Sequence, residues 1–152
     1  MVPTHVLGVN GKTWMTLQEI DKGKDDDIAK LLSRLDGSEI YSLLLWKLPA
    51  GKSLYDVKPK RDAKEYIQSA GTADRMTVEV RRKNGGAEEH FVVGRPPNGG
   101  NPAKKEIIHW DSVETVVASN EVFSADEAAE LFLSYHRTGW VPSTYVLRPI
   151  ST

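Results

Sequence analysis

RMTVEVRRKNGGAEEHFVVGR, residues 75–95, decides how this chain folds. Met76, Val78 and Val80 alternate with Thr77, Glu79 and Arg81, the period-two pattern of a strand with one buried face. Asn84-Gly85 suits the left-handed geometry of a tight turn, and His90 to Val93 return. The stretch predicts an antiparallel hairpin and sets the expectation for the rest of the chain.

Upstream, EYIQSAG (65–71) reads either as a short strand or as one helical turn. Residues 50–62 form a basic, turn-rich connection. EIYSLLLWKLP (39–49) is apolar and bounded by Pro49, which predicts a central, largely buried strand. Ile28, Leu31, Leu32 and Leu35 follow helical spacing and predict a helix at about 26–36. Asp25 to Asp27 stand at its start, where carboxylates cap free amides, and Gly37 can end it. The spaced oxygen ligands of a calcium loop are missing there. THVLGVNGKTWMTL (4–17) reads as two short strands around Asn10-Gly11.

Downstream, GRPPNGGNPAKK (94–105) is a loop, either slack or a binding element. KEIIHWDSVETVVAS (105–119) is one long strand or two short ones. Ser124 and Glu127 form a capping box for a helix whose apolar face is Ala128, Leu131, Phe132 and Tyr135. Gly139 ends that helix, Pro142 prevents its restart, and Tyr145 to Leu147 predict a short edge strand. Hairpins dominate and no βαβ series repeats. The expectation is an α+β fold in one domain over 1–152: a single antiparallel sheet, largely of hairpins, with two helices packed on one face.

Composition narrows the function classes. The chain has 152 residues, 39% hydrophobic and 27% charged, as in globular proteins. A net charge of -1 argues against global attraction to nucleic acid. The absence of cysteine removes disulfides and thiolate chemistry and fits a reducing cytosol. No basic segment leads into an apolar run at the N-terminus, so no signal peptide is expected. LLLW at 43–46 is far short of a membrane span.

Known catalytic patterns fail one by one. Gly51-Lys52-Ser53 and Gly11-Lys12-Thr13 resemble phosphate loops, but Trp46 and Val6 occupy the position of the first glycine. His5, His90, His109 and His136 show no metal-ligand spacing, and no residues suggest a cofactor. His109 and Asp111 would share a face if 106–111 is a strand, half of a base-and-orienter pair without a nucleophile. His136, in the last turn of its helix, suits the negative end of the dipole. The aromatic-rich strands of RNA-binding modules are missing, and KPKRDAK (58–64) reads as a solvated connection. Trp46 is expected in the core, with Trp14 and Trp110 half-buried. Trp140 either folds back on the helix end or anchors a partner.

Charge is segregated along the chain. Residues 47–83 hold ten Lys/Arg against five Asp/Glu, and residues 84–130 hold three against nine. Either the two segments neutralise each other in the fold, or the second forms an acidic surface for a basic partner.

NEVFSADEAAELFLSYHRTGWVPSTYVLRPI (120–150) resembles the C-terminal part of the bacterial immunity proteins of the Imm-one type. The matching features are the strand Glu121 to Phe123, the helix start Asp126-Glu127-Ala128, Tyr135 before Thr138-Gly139, Pro142, and the closing strand Tyr145 to Leu147. The resemblance implies a cytosolic antitoxin without catalysis of its own. It would cover the cleft or groove of a cognate toxin domain, most often a nucleic-acid deaminase, and would touch neither nucleic acid nor membrane itself. Our inferred interface takes Glu88, Glu89, Asp111, Glu114 and Glu121, with Trp140 and Tyr145 as aromatic anchors. The alternatives are a small enzyme around His109 and Asp111, or a non-inhibitory adaptor or secretion accessory.

Overall fold

The computed structural model describes residues 4–17, 25–96 and 104–150, without the side chains of Asp25 and Asp26. The capping expected of those two aspartates, and most of the 94–105 loop, lie outside the described residues. In chain order the elements are β1 (His5–Val9), β2 (Thr13–Leu17), α1 (Asp25–Ser33), β3 (Ser42–Lys47), α2 (Pro59–Asp62), β4 (Tyr66–Gly71), β5 (Met76–Asn84), β6 (Ala87–Gly94), β7 (Lys105–Trp110), β8 (Val113–Ala118), α3 (Ala125–Thr138) and β9 (Val146–Pro149). Short 3-10 turns lie at Leu54–Asp56 and Ser119–Glu121.

Seven strands form one antiparallel sheet in the order β2-β1-β3-β4-β5-β6-β9. The central hairpin is β5–β6, with Asn84 opposite Ala87. Its turn residues are therefore Gly85 and Gly86, one position later than the Asn-Gly reading. Both have positive φ, 59° and 89°, which a mirror-image turn requires at its two central positions. Pairing with both β3 and β5 settles residues 66–71 as a strand. β9 is an edge strand on β6, as expected.

One face of the sheet carries the main core. Met76, Val78 and Val80 are fully buried there, with Leu43, Leu45 and Ile67. α1 supplies Ile28 and Leu32, and α3 supplies Ala128, Leu131, Phe132 and Tyr135. α1 stops at Ser33, but two 3-10-type bonds, Arg34 N–H to Leu31 O and Leu35 N–H to Leu32 O, carry Leu35 inward. Gly37 is thus not the helix cap. It does take the left-handed conformation, with φ +80°, where a Cβ would stand 3.1 Å from the Thr72 methyl and 3.3 Å from the His109 carbonyl oxygen.

The opposite face is also covered at its β1–β3 end. Val6, Trp46 and Leu48 are buried beneath Leu54, Val57 and Ala63 of the connection read from sequence as merely basic and turn-rich. Trp14 lies flat over Gly8, where a Cβ would stand 2.3 Å from its ring. That close approach explains a glycine in the middle of a strand.

β7 and β8 resolve the 105–119 ambiguity as two short strands. They pair with each other in a separate two-stranded ribbon beside the main sheet. Its inner face buries Ile108 and Val117, and Ile108 packs against Gly71.

Gly71 has φ +133° and no space for a Cβ, which would stand 2.3 Å from the Arg75 carbonyl oxygen. Gly71→Ala is expected to lower unfolding stability by about 3 kcal/mol through strain and displaced backbone. Gly85→Ala, with a positive φ but open surroundings, should lower it by only about 1 kcal/mol. Urea unfolding of both variants measures the difference.

Candidate functional site

The charge segregation seen in sequence is partly cancelled by folding. β5 lays its basic residues beside the carboxylates of β6, and Arg81 pairs with Glu88 while Arg82 pairs with Glu89 at 2.8 Å. Hydrogen bonds from Arg82 and then Asn84 hold the Glu89 carboxyl below its usual range. Arg75 reaches Glu106 at 2.9 Å, and Arg95 grips Glu127 at 2.6 Å. The acidic surface inferred from sequence is therefore not continuous.

The seven inferred interface residues separate accordingly. Glu88 is exposed and Glu89 half-buried, and both are paired within the hairpin. Glu121 is not a surface residue: its side chain is 4% exposed, accepts from Arg148 at 2.7 and 3.0 Å, and accepts the Ala118 N–H at 2.8 Å. Trp140 folds back on the helix end, edge-on to Phe91, with the Arg82 guanidinium 4.4 Å above its ring. Tyr145 is half-buried against Phe123. Burial first, then the charges of Glu130 and Glu127, push its phenol pKa up. Of the seven, only Asp111 in the β7–β8 turn and Glu114 at the start of β8 stand exposed without a strong partner among the described residues.

The His109–Asp111 pair is not assembled. β7 ends at Trp110, and Asp111 turns away with φ +54° while its N–H donates to the Gly37 carbonyl at 2.7 Å. Period-two alternation therefore stops before Asp111. His109 instead lies 3.7 Å from Glu114, with both side chains more than 60% exposed.

The ribbon that carries Asp111 and Glu114 also exposes apolar surface. On its outer face Ile107 and Val116 are directly paired, 45% and 60% exposed, with His109 and Glu114 as the next pair on that face. The doublet Ile107-Ile108 hid this from sequence, because two adjacent apolar residues do not say which one faces out.

A second concavity was not foreseen. A cleft of about 700 Å³ opens between the ends of β1 and β3 and the last turn of α3. The His5 and His136 rings stack in its wall at 4.1 Å, and His5 Nδ1 lies 2.8 Å from Thr4 Oγ1. Burial, then the charges of His136 and Lys47, lower the His5 pKa from 6.5 to about 4. Sequence held no signal for this, since 131 positions separate the two rings along the chain.

Among the described residues, no group of three or more His, Asp or Glu is placed to hold a metal ion, and no helix is long and apolar enough to cross a membrane. No family model, no curated protein and no solved structure matches this chain.

Two predictions follow from these environments. Glu121→Gln should cost about 2 kcal/mol of stability by weakening a buried charge-assisted network, whereas Glu114→Gln should change it by less than about 0.5 kcal/mol; chemical denaturation compares them. For His5, the unfolded chain binds a proton near pH 6.5 and the folded chain only near pH 4. Stability is therefore full above that window and falls on the order of 1 kcal/mol per pH unit within it. Thermal unfolding of His5→Gln between those pH values should show a correspondingly flatter profile.

Proposed function

We propose that this protein is an antitoxin-type inhibitor that binds a toxin domain through the outer face of its β7–β8 ribbon. The observation that carries this reading is the pairing of exposed Ile107 and Val116 beside the exposed carboxylates Asp111 and Glu114. Exposed β-branched side chains on a two-stranded ribbon are an association surface unless something covers them. Apolar residues at the centre of a contact exclude water, and charges at its rim steer the encounter.

The partner class comes from the resemblance of residues 120–150 to immunity proteins. A toxin that acts on nucleic acid presents a basic cleft, and a deaminase is the first expectation. A narrow ribbon with acidic residues at its tip is shaped to enter such a cleft and block it sterically. The Thr138-Gly139 element of the resembling stretch supports the body rather than the contact. Gly139 takes φ +80° at the helix end, and Thr138 Oγ1 accepts the Trp140 N–H at 3.2 Å.

The test is co-expression with a candidate toxin domain from the same gene neighbourhood, followed by co-purification. Rescue with a stable complex is expected. Ile107→Asp/Val116→Asp should weaken the complex by about 100-fold, while Glu114→Lys should slow association about tenfold with a reduced dependence on salt. No rescue and no complex overturns the inhibitor reading. A complex insensitive to all three substitutions overturns the ribbon as its contact.

A further inference from the structure

Four cationic side chains reach the His5–His136 cleft from separate parts of the chain. They are Lys47 at the end of β3, Lys64 before β4, Lys83 near the end of β5 and Arg137 in the last turn of α3. Two carboxylates line it as well. Asp62 is engaged within its own turn, bound by the Arg61 guanidinium at 2.6 and 2.9 Å and by the Lys58 N–H at 2.8 Å. Glu65 accepts the Lys83 backbone N–H at 3.3 Å. Among the described residues, Lys47, Lys64 and Lys83 have no carboxylate within 4.0 Å.

Trp46 also borders the cleft; it is 2% exposed, and its buried indole N–H has no acceptor among the described residues. A buried donor left unpaired costs about 1–3 kcal/mol. Leu48 and Pro49 supply apolar surface on the same side.

One effect opposes an anion here. The carbonyl end of α3 opens towards the cleft, and its field favours cations by about 0.3–1 kcal/mol. Two of its carbonyls are already engaged, however: Ser134 O accepts from Thr138 Oγ1 and Tyr135 O from the Gly139 N–H, both at 2.8 Å. Like charges gathered in one place repel one another, and a multiply charged anion reverses that repulsion. A single carboxylate answers one cation, whereas a phosphoryl group answers two or more. The volume exceeds what inorganic phosphate needs and falls in the range of small-molecule sites.

We propose that this cleft binds a small organic phosphate of mononucleotide size, its phosphoryl group among Lys47, Lys64 and Lys83 and its body against Trp46, Leu48 and Pro49. The site shares no residue with the β7–β8 ribbon, so it stands or falls independently of the inhibitor reading.

The test is an NMR titration of the full chain in about 0.15 M salt, where remote surface attraction is screened. Inorganic phosphate, adenosine 5′-monophosphate, adenosine and a single-stranded oligonucleotide are the probes. The monophosphate should give saturable shifts of the Trp46 indole N–H and of the His5 and His136 rings, with weaker binding of inorganic phosphate and none of adenosine. Lys47→Ala/Lys83→Ala should weaken binding about tenfold or more, with an unchanged unfolding temperature, and Lys12→Ala should leave it unaltered. No saturable shift, equal binding by the double variant, or equal binding of adenosine overturns the site. A response to the oligonucleotide alone overturns the small-ligand assignment.

Discussion

Two backbone hydrogen bonds between Met76 and Phe123, at 2.9 and 2.8 Å, tie the last helix to the sheet, and the remaining packing depends on them. The Ala125 N–H donates to Ala73 O directly after this bridge. Ser124 and Glu127 then satisfy each other's free amides, and Glu127 also receives Arg95, whose guanidinium lies 4.7 Å above the Phe123 ring. One glutamate thus caps the helix and anchors it to the end of β6. With that end fixed over β5, the stripe from Ala128 to Tyr135 meets both the sheet and α1. At the far end the same helix carries His136 against His5. The cleft is a consequence of where α3 begins.

Charge follows the same logic of placement. Segments that are strongly basic and strongly acidic along the chain become neighbours because β5 and β6 run antiparallel. This pairing neutralises Glu88 and Glu89, and more distant arginines take Glu106, Glu121 and Glu127. What remains includes two carboxylates at the ribbon, Asp126 and Glu130 on α3, and a set of lysines around the cleft. The ribbon and the cleft lie apart in the chain and share no residue. They make separate binding events more consistent with the geometry than one broad electrostatic face.

By itself the sequence determined the elements whose signals are local. The alternation through Met76, Val78 and Val80, the capping box at Ser124, the glycine stop at 139 and the helical spacing of Ile28 to Leu35 each depend on contacts within a few residues. The antiparallel, helix-backed sheet follows from them. Tertiary structure alone decided which acidic residues remain available, because Arg148 stands 27 positions from the Glu121 it buries. It also decided that Asp111 leaves the strand, through its bond to distant Gly37, and that His5 meets His136. The physical reason is the same in each case. A local pattern records backbone preference and the face of an element, whereas ion pairs, ring stacks and clefts depend on how elements far apart in the chain are set against one another.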